Sequence, residues 1–558
     1  MSTVVDPITT EIVRSAFKAA ADEMNATLIR SAYTPIIYEM KDCSVALLDA
    51  DHRVLGQSAG LPIFLGNLEV CTELTEETYG RDAWRPGDVW VMNDSYMTGT
   101  HLNDMTVFGP IFTDDALVGF AACRAHWLDV GAKDAGGPMD STEIYQEGLR
   151  VPPVKIVDGG TPRADVIDLL GRNSRFSYPA LGDLGAQIAC VNTGSSRLRA
   201  IVDRHGLDTV LAAREQIFAQ TERYERAAIA AIPDGSYGAE GCLDDNGVGA
   251  EPAWVRVRVD VAGEEIRIDL TGSDDMQGGP INCGEAQAIS AARVAYKVLI
   301  NPDKAPDGGA FRALKVDVRK GSLLAAEDPA PCQWYFTPLG LLIDLVVKAL
   351  APALPERAAA ASYGDSMVIG MSGDDPRTGS PWLDLEPTVG GWGAWQGNDG
   401  QDGLINNVNG SLKDLPIEVF ETKFPMRLTE YGFRPDSGGA GRWRGGNGIV
   451  RQYEVGCEAL SLSLWFERSK TPAWGLMGGR DATPPVVIVN PGREDERRLL
   501  KASRVVLRRG DVIRTMTGGG GGFGDVAERD PELVRADVRD GHVTPQTARE
   551  VYGLEVQA

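Results

Sequence analysis

The chain has 558 residues with a formal net charge of −24, and it is 43% apolar and 24% charged. That length exceeds one ordinary domain and suits about three or four structural units around large cores. The acidic balance excludes binding to nucleic-acid phosphates or to an anionic membrane, since both need basic surface.

The opening residues Met1-Ser2-Thr3-Val4-Val5-Asp6 lack the charged and apolar regions of a signal peptide, so no leader is expected. Asp6 and Pro7 form a helix start. Ile8, Ile12, Val13, Ala16, Phe17, Ala20, Met24 and Leu28 continue it at helical spacing. Residues 42–49 read as a strand, with 54–57 returning as its hairpin partner. Residues 88–92 form another strand, and 93–104 a polar, glycine-containing loop. Strands over 105–112 and 117–126 then fold about a tight turn at Asp114-Asp115. In that hairpin, facing residue numbers sum to about 229 or 230 by antiparallel pairing. Asp104 therefore lands beside Ala125 or His126, and a one-residue slip leaves its face open.

A helix is expected over 206–231, and residues 236–275 alternate as strands. Helices follow near 285–300 and 339–351. That last apolar stretch is broken by Asp344 and Lys348, and no run reaches the roughly 18 residues needed to span a bilayer. Residues 365–516 are glycine-rich and strand-like, and two short helices start at Asp530-Pro531 and Thr544-Pro545. The expected class is α+β: a multi-domain mixed α/β chain with a metal-bearing N-terminal domain and a glycine-rich, strand-rich C-terminal half. The units expected are 1–235 (metal-binding, catalytic), 236–364 (mixed α/β), 365–525 (strand-rich) and 526–558 (helical tail). Eight cysteines without a C-x-x-C pair are expected as buried free thiols in a reducing cytoplasm.

The chemistry gathers at two of the five histidines. His101, in Asn93-Asp94-Ser95-Tyr96-Met97-Thr98-Gly99-Thr100-His101-Leu102-Asn103-Asp104, joins His126, in Arg124-Ala125-His126-Trp127-Leu128-Asp129. With Asp104, and Asp42 as a candidate fourth member, they make a His/His/carboxylate set that suits one divalent transition metal. Zinc comes first, and manganese and iron accept the same nitrogen and oxygen donors. Asp129, Lys133, Glu143 and Glu147 follow closely. One of them can act as general base or orient a ligand imidazole, with Asp129 and Glu143 the catalytic candidates. His52, His205 and His542 read as surface histidines. The run Thr517-Gly518-Gly519-Gly520-Gly521-Gly522-Phe523-Gly524 lacks the Gly-Lys-Ser/Thr ending of a Walker A loop and reads as a packed turn. Gly390-Gly391-Trp392-Gly393 and Ser437-Gly438-Gly439-Ala440-Gly441 are similar. No G-x-S-x-G elbow is present.

Together these segments resemble the hydantoinase B/oxoprolinase family nearly end to end. The likeness rests on Asp6-Pro7, Asp42-Cys43-Ser44, Pro86-Gly87-Asp88, the His101 and His126 segments, Thr142-Glu143-Ile144-Tyr145-Gln146-Glu147-Gly148-Leu149-Arg150, Gly182-Asp183-Leu184 and the late glycine runs. It implies a metal site at Asp42, His101, Asp104 and His126. It also implies a cytoplasmic hetero-oligomer with a hydantoinase A-type subunit that binds ATP. The expected activity is ATP-dependent opening of a hydantoin, 5-oxoproline or related lactam. A ketone carboxylase of the acetone or acetophenone type and a non-catalytic scaffold are the alternatives. Ser95, Thr98 and Trp127 depart from the commoner pattern, and Trp127 beside a ligand is expected to reshape the pocket.

Overall fold

The computed structural model describes residues 5–556. Helix α1 (Pro7–Ser31) starts as expected: the Asp6 carboxylate accepts from the amides of Ile8 and Thr9, at 3.0 Å each. Its buried stripe runs through Val13, Phe17, Ala20, Met24 and Leu28. Ile8 and Ile12 lie off that stripe and are 74% and 46% exposed.

That stripe packs on a seven-stranded antiparallel sheet. Its strands are β1 (Cys43–Asp49), β2 (Val54–Gln57), β3 (Val89–Met92), β4 (Asp104–Thr113), β5 (Ala116–His126), β6 (Val154–Asp158) and β7 (Thr161–Pro162), in the order β2-β1-β5-β4-β3-β6-β7. Facing numbers in the β4–β5 hairpin sum to 230 from Asp104↔His126 to Ile111↔Gly119. A bulge then shifts the sum to 229 at Phe112↔Leu117.

Strand alternation divides the sheet's labour. On one face Val45, Leu47, Val107, Ala121 and Cys123 join the main core against α1 and the 29-residue helix α2 (Ser177–His205). On the other, Ala46, Leu48, Phe108, Phe120 and Trp90 form a second core. Toward the Asp104 end that second face turns polar, where Thr106 and Ser44 both pair with Arg124 and Asp104 pairs with His126.

The sequence marks α2 weakly, because Gly182, Gly185 and Gly194 interrupt its pattern. Gly194 has a packing role: a Cβ there would lie 2.6 Å from Met24 Sδ and 2.8 Å from Ala121 Cβ. Glycine lets the helix approach both α1 and the sheet.

Helix α3 (Leu207–Ile229) leads into a four-stranded sheet of β8 (Gly235–Leu243), β9 (Ala253–Ala262), β10 (Glu265–Asp269) and β11 (Leu314–Asp317), with β10–β11 parallel. Against β8 and β9 packs α5 (Phe336–Leu350), which also contacts α4 (Glu285–Leu299). Every α5 residue except Lys348 is buried. The C-terminal half holds two further sheets of four and five strands, and the tail helices are capped by Asp530 and Thr544 as expected.

The glycine runs form a packed array. Amides of Gly391 and Gly439 donate to carbonyls of Gly518 and Gly520, while Gly520, Gly521 and Gly522 donate to Gly446, Ala361 and Arg480. One extended run therefore bonds to several segments around it, where a strand would bond in one plane. A Cβ on any of Gly519 to Gly522 would sit 2.0–2.2 Å from a carbonyl oxygen. Their amides face protein carbonyls, so the run is no phosphate loop. Among the described residues no helix is long and apolar enough to cross a membrane.

Candidate metal centre

In-register pairing of Asp104 with His126 puts both side chains on the polar end of one sheet face. His101 reaches the same point from the loop before β4. His101 Nε2 lies 2.9 Å from Asp104 Oδ1 and 3.0 Å from His126 Nδ1, and His126 Nδ1 lies 3.2 Å from Asp104 Oδ1. All three residues are buried.

The donor set fits a cation. His101 Nδ1 sits 3.0 Å from the Gln333 carbonyl, which can only accept, so Nδ1 carries the proton. In the neutral ring Nε2 is then a bare lone pair aimed at a carboxylate oxygen and a second imidazole. Edges of 2.9–3.2 Å approach the ~3.4 Å between donors that ~2.1 Å bonds give in a tetrahedral site. Two further polar atoms here, Asp42 Oδ1 and His126 Nε2, are buried without any hydrogen-bond partner.

The electrostatics of the cluster also call for a cation, a part that a proton on His101 plays where no ion is bound. Burial works against charge on His101, but Asp104 and the Gln333 carbonyl outweigh it and raise its pKa. Burial would raise Asp104, yet both histidines hold it well below the carboxylate range. Burial lowers His126. Burial, then the Asp104 charge, pushes Asp42 up to about 8, against the pull of His101. Ionising both carboxylates together calls for positive charge between them.

Asp42 shares the cavity but stands outside the tight group of His101, Asp104 and His126. The cavity, about 40 Å³, is also lined by Tyr335, Phe336, Ser366 and Asn409. Its ligand atoms come from the first 126 residues, whereas much of its wall comes from 334–409. The Tyr335 hydroxyl donates to Asp104 Oδ2 at 2.9 Å. Sequence patterns gave no sign of this wall, since Pro329-Ala330-Pro331-Cys332-Gln333 reads only as the approach to α5.

The acidic candidates fall elsewhere. Asp129 accepts from the Arg175 guanidinium and amide, at 2.7 Å each, and lines a different recess. Glu143 is exposed, and Lys133 pairs with Asp140. Neither Asp129 nor Glu143 lines the metal cavity. Glu147 takes the orienting position: buried, it accepts from the amides of Cys332 and Gln333 at 2.9 and 3.0 Å and from Ser141 Oγ at 2.6 Å. It thereby fixes the segment whose carbonyl orients His101. Burial pushes Glu147 up to about 7 despite those donors.

Two expectations need correction. Trp127 follows His126 and projects to the opposite side, where its indole N–H donates to Gln187 Oε1, so it does not line the metal cavity. His52 is no plain surface residue: its Nδ1 lies 2.9 Å from Thr72 Oγ1 and its ring stacks on Phe120. All eight cysteines are free and buried, as expected.

A family model described as hydantoinase B/oxoprolinase matches residues 6–526. Caprolactamase subunit beta of Pseudomonas jessenii is 32% identical over 570 residues, covering 99% of this chain and 96% of that one. The crystal structure of the ATP-dependent caprolactamase from Pseudomonas jessenii is similar with a TM-score of 0.90 at 30% identity, covering 99% of this chain and 97% of that chain. A nucleotide-free acetone carboxylase structure shares the fold, with a TM-score of 0.89 at 19% identity over 99% of this chain and 80% of that chain. With the match spanning nearly the whole chain, the protein belongs to the hydantoinase B/oxoprolinase family.

Proposed function

We propose that this chain is the metal-bearing catalytic subunit of an ATP-dependent cyclic amide hydrolase. Its substrate would be a lactam, 5-oxoproline or a hydantoin, and its partner a hydantoinase A-type subunit that binds ATP in the cytoplasm. The observation that carries the reading is the convergence of His101 Nε2, Asp104 Oδ1 and His126 Nδ1 on one buried point. The 32% identity to a caprolactamase subunit supports the ring-amide class. The acetone carboxylase likeness is one of fold alone and does not favour carboxylation.

His101, Asp104 and His126 would hold a divalent ion, zinc first, with Asp42 at the fourth position. When bound, such an ion supplies Lewis-acid polarisation or a nucleophilic water at neutral pH. An amide carbonyl is a poor electrophile, and phosphorylation of its oxygen on the partner activates the carbon. Water then adds to that carbon and the C–N bond breaks, the ring nitrogen taking a proton; a second water releases phosphate from the acyl phosphate so formed and leaves the open amino acid. This chain's own residues set the geometry: Tyr335 holds Asp104, Gln333 fixes the His101 tautomer, and the buried wall limits bulk water.

The test is elemental analysis of the parent beside folded His101→Ala and His126→Ala variants, then ring opening with the A-type partner. About one equivalent of metal in the parent alone, and ATP-dependent lactam opening that both variants lose, is the expected result. A parent that holds no metal after incubation with zinc, manganese or iron would sink the reading.

A further inference from the structure

A recess of about 570 Å³ stands apart from the metal cavity and shares none of its lining residues. It opens where three parts of the chain meet: α1 with residues 57–66, then α4 and α5, and residues 392–410 of the C-terminal half. Val298, Lys304 and Ala305 are exposed at its lip, whereas Ile343, Val347 and Ala360 are buried along its inner wall. Small-molecule sites run to roughly 300–1,000 Å³, and the recess falls in that range.

The uncharged polar groups in its wall are already engaged. Gln57 Nε2 donates to the Leu65 carbonyl at 2.6 Å, Ser58 Oγ to Asp22 Oδ1 at 2.9 Å and Trp392 Nε1 to the Ile405 carbonyl at 2.6 Å. Ser362 Oγ and Asn407 Nδ2 both donate to Asp344, at 3.2 and 2.9 Å. A peptide or a nucleoside seated against this wall would leave its own N–H and C=O groups without partners, which is costly. A hydrocarbon body carries no such groups and gains by leaving water.

Charge is graded along the depth. Lys18, Arg293, Lys297 and Lys304 line the recess, against one carboxylate, Asp344. In a chain of net charge −24 this is a local inversion. Lys18 pairs with Asp22, Arg293 with Glu69 and Lys297 with Glu225. Lys304, exposed at the lip, has no such partner among the described residues. Asp344 is buried beside the inner wall, so a ligand's negative group is repelled there and attracted at the lip.

We propose that the recess binds a free, unbranched alkyl carboxylate of medium length, its chain against Val294, Ile343 and Val347 and its head at Lys304. Engaged wall groups select the hydrocarbon, and the graded charge turns the head outward. A lipid bilayer is the poorer source, because the chain's net negative charge opposes docking on an anionic surface. The site is independent of the metal centre and of the function proposed above.

The test is calorimetric titration of the full chain with hexanoate, octanoate and decanoate at low ionic strength. Octanol and octylammonium supply an uncharged and an oppositely charged head. Affinity is expected to rise about fourfold for each methylene added. Octanoate should bind about threefold or more tightly than either control, and saturating octanoate should raise the melting temperature. Val298→Trp fills the recess from an exposed helix position and should weaken octanoate binding about tenfold or more. Lys304→Glu should reverse the preference between octanoate and octylammonium. Both positions are exposed, so the free variants should melt like the parent. The proposal is overturned if no alkyl acid binds, if Val298→Trp leaves octanoate binding unchanged, or if both controls bind as tightly as octanoate. Sedimentation of the chain with phosphatidylglycerol vesicles, lost in Lys304→Glu, would overturn the free acid in favour of a membrane surface.

Discussion

Asp104 and His126 are Cα partners at one end of the β4–β5 ladder, and their Oδ1 and Nδ1 atoms lie 3.2 Å apart. A ladder pair fixes two donors on rigid backbone, so the third, His101 from the adjoining loop, is the one that needs help. That help comes from the segment 332–335, whose Gln333 carbonyl and Tyr335 hydroxyl contact His101 and Asp104.

Tyr335→Phe tests the direct contact. The phenol hydroxyl is the only atom removed, and Asp104 Oδ2 loses its 2.9 Å donor. Groups that orient metal ligands are worth about 10–100-fold in affinity. The expected outcome is a folded protein whose zinc affinity, read by chelator competition, falls about tenfold. An unchanged affinity would mean that Tyr335 only packs.

Glu147→Gln tests the indirect contact. A carboxylate receives both the Cys332 and Gln333 amides, and a carboxamide can offer only one oxygen to them. The 332–333 turn should loosen, and His101 with it. Zinc affinity is expected to drop by about 10–100-fold. In Glu143→Gln, where the side chain is exposed, it should stay at the parent value.

How far the sequence carried can be seen at these same residues. The hairpin arithmetic about Asp114-Asp115 placed Asp104 opposite Ala125 or His126, because turn position and antiparallel pairing are local. Capping at Asp6, Asp530 and Thr544 was legible for the same reason. Tyr335 and Gln333 were not: they meet His101 across more than 230 positions, and no local periodicity encodes that meeting. Asp129 was drawn in by closeness in sequence, yet Arg175 takes its carboxylate elsewhere. Helix α2 was obscured because Gly194, which weakens helical propensity, is there to admit Met24 and Ala121.

Buried carboxyls set a pH dependence of stability in the protein without a bound ion. Glu147, Asp344 and Glu467 are each pushed up to about 7, in every case chiefly by burial. Nearby cations, Arg468 for Asp344 and Lys501 for Glu467, pull the other way. Between the ordinary carboxyl value and about 7, the folded protein holds protons that the unfolded chain has released. Their contribution is therefore full below the ordinary value, is lost as pH rises through that window, and levels off above it. Each group contributes at most about 1.4 kcal/mol per pH unit. Melting temperature should fall between pH 5 and pH 7.5, and Glu147→Gln should flatten the slope. A rise in melting temperature over that range would refute the assignment.

The glycine array offers the sharpest contrast in stability. Gly520→Ala would place a Cβ 2.0 Å from the Trp392 carbonyl oxygen and 2.1 Å from its carbon, with backbone on the opposing side and no side chain to move. Overpacking against side chains costs about 1–3 kcal/mol. Here rigid main chain must separate and break the Gly520–Gly446 hydrogen bond, so a loss of about 4 kcal/mol or more is expected. Gly185→Ala is the control: it lies in α2 with nothing within 4 Å of the new Cβ, and helix propensity alone should stabilise by about 1 kcal/mol. Paired denaturant melts should move in opposite directions. If Gly520→Ala melts like the parent, the run has room for side chains, and the packed-array account of residues 518–522 is wrong.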